Sequence, residues 1–387
     1  MKTFHCDKCA QQVFFENTVC WNCNSTLGYQ PQKRVVSSFE KGLDGNWHSL
    51  DPTDAGRLYK QCDNYVKQHV CNWMLDANDV NELCASCQLT VVIPALSNEG
   101  NHVLWHRMES AKRRLLYSLW SLRLRPVPKQ EDAICGLAFQ FLEDGNSEEK
   151  IMTGHDNGLI TLNLAEADPA KREHVREQMG ERYRTLLGHF RHESGHYYFD
   201  RLITDPELLD KYRELFGDES QGYAERLKLY YEKGPIADWE QSFISCYASS
   251  HPSEDWAETW AHYLHMIDTL ETAHACGLSL KPLKAKEPKM MLAARTLTSD
   301  SFEQLITDWF SLTYVLNSLN RSVGMPDAYP FKLSTPVQEK LLFVHEVVLT
   351  HANGGFSASD DVNMIFESID SDSISIPDAA EKKNQSS

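Results

Sequence analysis

The sequence predicts an α+β protein in which a small cysteine-rich module precedes a mainly helical domain with a small antiparallel sheet. Most of the 11 cysteines lie before residue 90, several of them in tight Cys-x2-Cys pairs. Residues 134–164 carry short apolar runs between Asp-Gly and Asn-Gly turns, which predict two or three antiparallel strands. From residue 168 to about residue 352, apolar residues recur at helical spacing.

Length and composition are those of a globular protein with room for two domains. The chain has 387 residues, of which 42% are hydrophobic and 24% are charged. The net charge of −17 argues against the broadly basic surface that non-specific nucleic-acid binders use. No apolar run approaches the roughly 20 residues that cross a bilayer, and the first residues lack the apolar stretch of a signal peptide. We therefore expect a cytoplasmic protein.

Residues 1–100 are rich in cysteine and in turn-forming residues, and we expect an irregular module that metal stabilises. Cys6 with Cys9, and Cys20 with Cys23, form two tight turns that each present two thiolates. In a reducing compartment this spacing indicates metal ligands rather than disulfides. Four thiolates close a tetrahedral zinc site, so the predicted zinc ribbon would hold a structural ion.

A second set of cysteines is spaced more loosely. Cys62, Cys71, Cys84 and Cys87 are candidates for a second structural zinc, although only the last two form a tight turn. The alternatives are that the first two are buried thiols, or that His69 replaces one ligand. The other cysteines are assigned to the core: Cys135, Cys246 and Cys276.

Residues 101–130 are predicted to form a linker helix that leads into a domain at residues 131–356. Apolar residues recur at helical spacing until Pro126 ends the pattern. The helix contains the basic run Lys112, Arg113 and Arg114, which we interpret as a solvated face. A protein or nucleic-acid partner for the zinc ribbon is left open.

The start of the following domain combines strand and helix signals. Residues 158–163 predict a strand, which we expect at a sheet edge where an extended peptide could add as a further strand. Asp168 and Pro169 form a helix start, and the helical pattern runs to Arg201 with a break near Gly180. At the other end of the chain, residues 357–387 are rich in Ser and Asp and predict a mobile acidic tail.

The sharpest motif in the chain runs from His192 to His196 and matches the H-E-x-x-H pattern of zinc hydrolases. Apolar residues at helical spacing lead into it, so the motif lies on an amphipathic helix. Residues four apart share a helix face, so the two histidines can bind one zinc ion. Glu193 lies beside them, where a general base for a zinc-activated water belongs. The alternative is a solvated helix face that carries these residues by coincidence.

A catalytic zinc needs a third protein ligand and an open position for water. Glu254 and Glu258 lie one turn apart on a second predicted helix, which starts near Pro252 and Ser253. Two carboxylates at this spacing repel each other, unless one ligates the zinc and the other accepts the spare N–H of a ligand histidine. The residues alone leave open which glutamate takes which role, and an ordinary charged helix face is a further interpretation.

The segments HFRHESGHYYFDRL and YASSHPSEDWAETWAHYLH, together with the cysteine-rich front, closely resemble a family of bacterial zinc-binding metallopeptidases that carry an N-terminal zinc ribbon. The resemblance extends to about residue 352 and implies a zincin-like, gluzincin-type peptidase domain. It also covers the second cysteine set and favours a second structural zinc there.

The active-site segments are also similar to the catalytic domain of anthrax lethal factor. Both have an H-E-x-G-H motif, then a tyrosine, then an E-x-x-A-E helix. This likeness implies that Glu254 is a zinc ligand, that Glu258 supports a ligand, and that Tyr247 donates to the tetrahedral oxyanion. A phenol near the zinc can stabilise an oxygen that gains negative charge in the transition state. The alternative for Tyr247 is a half-buried aromatic residue before a turn.

The sequence thus favours a zinc-dependent peptidase with one catalytic zinc and one or two structural zincs, acting on a peptide or protein substrate. His192, His196 and Glu254 would hold the catalytic zinc, and Glu193 would act as the base. The alternative is a non-catalytic, zinc-stabilised protein that binds nucleic acid or protein, but such a protein has no need of Glu193. Three further histidines near the motif are interpreted as structural: His189, His262 and His265.

Overall fold

The computed structural model describes residues 1–145, 151–179, 181–281 and 301–354, all of which lie in one compact unit. The predicted fold class is confirmed: a cysteine-rich module with two four-cysteine clusters and small sheets precedes a mainly helical domain with a small sheet. The predicted tail at residues 357–387 lies outside the described residues. Within the described parts of the chain, no helix is long and apolar enough to span a bilayer.

The cysteine module (residues 1–100) contains two sheets. A hairpin of β1 (Phe4–His5) and β2 (Gln12–Val13) comes first. An antiparallel sheet follows, with its strands in chain order: β3 (Thr26–Gln30), β4 (Val35–Lys41), β5 (Trp47–Ser49), β6 (Leu58–Gln61) and β7 (Met74–Asp76). The expectation of an irregular module is wrong, because β3 and β4 are largely buried on both faces and lack the alternation that reveals a surface strand.

Short helices and one strand complete the module. The helices α1 (Asp63–Val66) and α2 (Ala85–Gln88) directly follow Cys62 and Cys84. Strand β8 (Thr90–Val92) then leaves the module's own sheets and pairs with the strand at residues 138–142, in the mainly helical part of the chain. The module therefore contributes backbone to the sheet of the domain that follows it.

Helix α3 (Asn101–Ser121) is packed on more than one side. Leu115, Leu116 and Tyr117 are consecutive and fully buried, which a surface helix does not allow. The Tyr117 ring meets the ring of Phe15 from the cysteine module, with centroids 5.6 Å apart. The helix thus forms part of the core rather than a bare link between two domains.

The basic run on α3 is not a solvated face, so that interpretation is wrong for two of its three residues. Lys112 and Arg113 are 0% and 2% exposed. The Lys112 ammonium lies 2.8 Å from the carboxylate of Glu109, and Arg113 Nη1 donates to the carbonyl of Val70 at 2.6 Å. The cations are buried because the helix is covered on both sides, and the Glu109 carboxylate and the Val70 carbonyl are their acceptors inside the protein.

The sheet of the helical domain is mixed rather than antiparallel. Its order is β10 (Gly154–Asp156), β11 (Leu159–Asn163), β9 (Ala138–Leu142) and β8. Strands β8, β9 and β11 run parallel, and β10 pairs antiparallel with β11. The Asn-Gly turn does form the β10–β11 hairpin, with φ of +46° and +82° at Asn157 and Gly158.

Two sequence expectations about this sheet are therefore corrected. Local turn signals predict the hairpin, but the parallel pairing of β9 with β11 depends on contacts distant in sequence. Because β10 covers it, β11 is an interior strand, and the sheet edge on this side is β10.

Within the described residues, seven α-helices follow the sheet. They are α4 (Pro169–Met179), α5 (Leu186–Leu202), α6 (Pro206–Phe216), α7 (Tyr223–Lys233), α8 (Pro252–Ala275), α9 (Phe302–Ser322) and α10 (Thr335–Gly354). The helical pattern from residue 168 to residue 201 corresponds to α4 and α5. Helices α5 and α8 pack against each other and carry the candidate metal ligands.

Candidate metal centre

Helix α5 presents the H-E-x-x-H motif in its middle turns. Its first turn is capped by the Thr185 hydroxyl, which accepts a hydrogen bond from the Gly188 N–H at 3.0 Å. His192 and His196 lie one turn apart, and their ring centroids are 5.1 Å apart. The opposite face of the helix is buried, with Phe190 fully enclosed. The helix is therefore fixed by its core face while both imidazoles remain partly accessible.

Helices α5 and α8 approach each other closely at Gly195. A Cβ atom on Gly195 would lie only 2.9 Å from Ala257 Cα, so the two backbones approach as only glycine permits. Two indole N–H groups of α8 then bond to α5: Trp256 donates to the Gly195 carbonyl at 2.8 Å, and Trp260 donates to the Ser194 hydroxyl at 3.1 Å. These buried bonds fix the register of α8 against the motif.

This register brings Glu254 to the two histidines. Its Oε2 lies 3.0 Å from His192 Nε2 and 3.7 Å from His196 Nε2, and the three ligand atoms lie within 4.8 Å of one another. Glu254 is 1% exposed, and its Oε2 receives no hydrogen bond from any described residue. Burying an unsatisfied acceptor costs about 1–3 kcal/mol. A cation between the three groups would satisfy this oxygen, so the residues fit the ligand set of a catalytic zinc.

Glu258 lies on the other side of His192. Its Oε1 is 2.7 Å from His192 Nδ1. Burial alone would raise the pKa of Glu258, but the hydrogen bond and charge of His192 lower it to about 2. An ionised Glu258 would hold the proton of a neutral His192 on Nδ1 and leave Nε2 free to bind a metal ion.

The field around His192 is strongly negative. Burial would lower the pKa of His192, but the carboxylates of Glu254 and Glu258 outweigh it and raise this pKa overall. Carboxylates gathered around two imidazoles in a buried site form an environment that stabilises a divalent cation.

Glu193 is 7% exposed and lies between the two motif histidines in the chain, directly after His192. Burial raises its pKa, against the opposing effect of His192 and His196. A carboxylate whose pKa lies above its ordinary value accepts and releases a proton more readily near neutral pH.

Tyr247 lies beside the ligands, in a short 3-10 turn (Tyr247–Ser250) that leads into α8. Its ring centroid is 5.9 Å from that of His192 and 5.8 Å from that of Tyr230 on α7. Burial, with the nearby Glu254 carboxylate, raises the pKa of Tyr247, so its hydroxyl stays protonated as a donor.

Two neighbours of the site were not found from the sequence. The Tyr223 hydroxyl donates to Glu254 Oε1 at 2.7 Å. The His155 ring, on β10, stacks on His196 with centroids 6.2 Å apart and planes 16° apart. No sequence spacing points to either residue, because each lies far along the chain from the side chain that it contacts at the site.

The other histidines near the motif occupy interior positions. His262 Nδ1 lies 2.8 Å from the Tyr329 hydroxyl. His265 contacts the guanidinium of Arg191. Burial lowers the pKa of His189 to about 4, so this ring is neutral at physiological pH. None of the three belongs to a cluster of metal-ligating groups within the described residues.

The cysteines of the module form two clusters, one of Cys6, Cys9, Cys20 and Cys23 and one of Cys62, Cys71, Cys84 and Cys87. Sulfur atoms lie 3.5 Å apart for Cys6 and Cys23, 3.6 Å for Cys9 and Cys20, and 3.7 Å for Cys71 and Cys84. Four sulfurs at about 2.3 Å from a tetrahedral zinc would be about 3.8 Å apart. Both clusters therefore fit structural zinc, and His69 belongs to neither of them.

Comparisons with known proteins match two parts of the chain to known families. Residues 101–347 match the family described as "Putative zinc-binding metallo-peptidase", and residues 3–98 match a zinc-ribbon domain. Similar relatives include "Uncharacterized protein Mb2598c" of Mycobacterium bovis and "Uncharacterized protein Rv2568c" of Mycobacterium tuberculosis. Each is 41% identical over 350 residues, which cover 90% of this chain and 95% of the relative. No solved structure matches the chain significantly.

Proposed function

Because the chain belongs to the zinc-binding metallo-peptidase family that residues 101–347 match, we propose that it is a zinc-dependent peptidase acting on peptides or proteins. The observation that carries the proposal is the buried Glu254 Oε2, which faces the Nε2 atoms of both motif histidines while Glu193 lies next to them in the chain. A site that only held metal for stability would have no use for an additional buried carboxylate at Glu193.

Each residue then has one role in hydrolysis. Zinc held by His192, His196 and Glu254 would supply the Lewis acid that polarises a water and the scissile carbonyl. Glu193 takes a proton from the attacking water and delivers it to the leaving amine. Tyr247 donates a hydrogen bond to the oxygen that becomes negatively charged.

The structural zincs belong to the cysteine module in this proposal. Each four-thiolate cluster would be closed to substrate and would stabilise the fold around it. Because β8 pairs with β9 and α3 is buried between module and domain, the module supports the peptidase domain directly.

An extended substrate would add to β10, the sheet edge beside the ligands. In a hairpin closed by a two-residue turn, Asp156 and Leu159 form the hydrogen-bonded pair, so the backbone N–H and C=O of His155 point away from β11. The stacking of the His155 ring on His196 supports a substrate position at this edge, beside the proposed site.

The edge-strand role is tested by comparing His155→Pro with His155→Ala. Both variants remove the imidazole, but only proline removes the outward N–H. We expect the proline variant to lose turnover at unchanged zinc content, and the alanine variant to keep most of it. Equal turnover in the two variants would exclude strand addition at β10.

The peptidase proposal itself is tested with Glu193→Gln, which keeps the shape of the side chain but removes the base. We expect unchanged zinc content and at least about a hundredfold loss of cleavage of a mixed peptide library. Glu207→Gln, an exposed glutamate at the start of α6, is the matched control and should cleave as wild type does. Cleavage that survives in Glu193→Gln would refute the assigned base.

A further inference from the structure

We propose that Tyr223 is a positioning residue for Glu254 and that it couples helix α7 to metal binding. The proposal rests on the proposed function, because it requires Glu254 to be a metal ligand. Tyr223 is the first residue of α7, and Glu254 lies in the first turn of α8.

The hydrogen bond from Tyr223 gives the two oxygens of Glu254 different surroundings. The phenol donates to Oε1 at 2.7 Å, while Oε2 faces His192 and His196 without a donor. Because the bond occupies one acceptor site of Oε1 and turns Oε2 towards the histidines, it favours Oε2 as the oxygen that Glu254 offers to a metal. A carboxylate free to rotate could bind through both oxygens and take up the position that a catalytic site leaves open for water.

The same bond joins α7 to the site, as does the ring contact of Tyr230 with Tyr247. No residue of α7 is buried, and Tyr223 itself is 49% exposed although its hydroxyl reaches a buried carboxylate. The helix lies between Gly222 and Gly234, whose φ angles are +67° and +78°. A helix with so little buried surface is held in place by specific side-chain contacts.

A second contact ties the start of α7 to the start of α8. His251 Nδ1 accepts the Ser253 N–H at 3.1 Å and caps α8, so its other nitrogen carries the proton and donates to the Gln221 carbonyl at 3.2 Å. The His251 ring also meets the Tyr223 ring, with centroids 5.0 Å apart. The phenol is thus aimed at Glu254 by the residue that caps the ligand helix.

Because coupling is reciprocal, an ion that fixes Glu254 also fixes the partner of the Tyr223 hydroxyl. Metal binding should therefore order α7, and loss of the Tyr223 hydroxyl should weaken metal binding. Removing a hydrogen-bond partner behind a metal ligand typically lowers metal affinity about 10–100-fold.

The test compares Tyr223→Phe with Tyr231→Phe in the full chain. Tyr231 is on the same helix and 56% exposed, so the control removes the same hydroxyl without touching Glu254. Chelator competition measures the affinity for the zinc ion at the site of His192, His196 and Glu254. That ion is identified as the one that His196→Ala does not bind. We expect about 10–100-fold weaker binding in Tyr223→Phe and wild-type binding in Tyr231→Phe.

Hydrogen exchange of the α7 amides is measured with and without zinc at this site. If Tyr223 only stabilised the fold, its loss would not alter the change in amide protection that zinc causes. Zinc should increase protection of α7 in wild type and in Tyr231→Phe, but not in Tyr223→Phe. Wild-type affinity together with a wild-type protection change in Tyr223→Phe would overturn this proposal alone. If wild-type protein holds no zinc that His196→Ala removes, the proposed function fails, and this proposal fails with it.

Discussion

Replacing Gly195 with alanine should separate the metal ligands of α5 from the ligand on α8. The new Cβ would lie 2.9 Å from Ala257 Cα and 3.2 Å from Trp260 Cδ1. A backbone atom cannot rotate away, so the helices must move apart by roughly 0.7–1 Å to restore ordinary carbon contact. Ligand distances in metal sites tolerate only about 0.2 Å. His192, His196 and Glu254 would then no longer close around one ion.

The same substitution should change stability much less. Overpacking a core costs about 1–3 kcal/mol, and replacing glycine by alanine inside a helix recovers about 0.8–1.0 kcal/mol. The net loss of about 0–2 kcal/mol leaves a domain of ordinary stability folded. Gly195→Ala should therefore be a folded protein with a defective catalytic zinc site.

The assay is zinc content per chain after equilibration with a chelator, together with urea unfolding of the same samples. Gly188→Ala is the matched control on α5, because its Cβ would meet the Thr185 hydroxyl at 3.0 Å and other atoms only at 3.9 Å. The control should keep every zinc. If Gly195→Ala also binds zinc at the site of His192, His196 and Glu254 with wild-type affinity, the close helix contact does not set the ligand geometry.

Three further predictions concern the cysteine module and α3. Lys112→Met removes the nearer of the two cations beside the buried Glu109 carboxylate, because Arg113 Nη1 stays 3.9 Å away, and should cost up to about 3–5 kcal/mol in urea unfolding. The double variant with Glu109→Gln should recover part of this loss, and a single-variant loss under about 1 kcal/mol would contradict the buried pair. Burial would raise the pKa of Asp54, but hydrogen bonds from a tyrosine, a lysine and a glutamine lower it below 3.8. Ionised Asp54 therefore stabilises the fold at pH values above its unfolded pKa of about 3.9. This contribution disappears as the pH falls through the lower folded pKa. Below pH 5 the urea midpoint of Asp54→Asn should therefore fall less steeply with pH than that of wild type. Cys84→Ser should lose one structural zinc and leave Arg113 buried beside an incomplete thiolate cluster. Calorimetry should therefore show residues 1–354 unfolding together at a lower temperature. An unshifted main transition would mean that the cysteine module unfolds alone.

Local chemistry explains what the sequence could predict. His192 and His196 share a face because any α-helix places residues four apart together, and each Cys-x2-Cys turn gathers its thiolates within a few residues. The E-x-x-A-E helix was identifiable for the same reason. These patterns depend on backbone geometry that neighbouring residues determine.

What the sequence could not predict depends on contacts between distant segments. The parallel pairing of β9 with β11 has no local signature, although the Asn157–Gly158 turn does. The burial of Lys112 and Arg113 follows from packing on two sides of α3. A run of cations in a sequence predicts an exposed face instead. Tyr223 reaches Glu254 from a separate helix, and only the folded chain brings the two residues together.

The most direct test of the account is the number of zinc ions per chain in wild type and in His196→Ala. Two four-cysteine clusters and the histidine–glutamate site predict three zincs in wild type and two in the variant, with the fold intact. Equal zinc content in the two proteins would contradict the account, because His196 would then hold no metal and the proposed peptidase would have no catalytic ion.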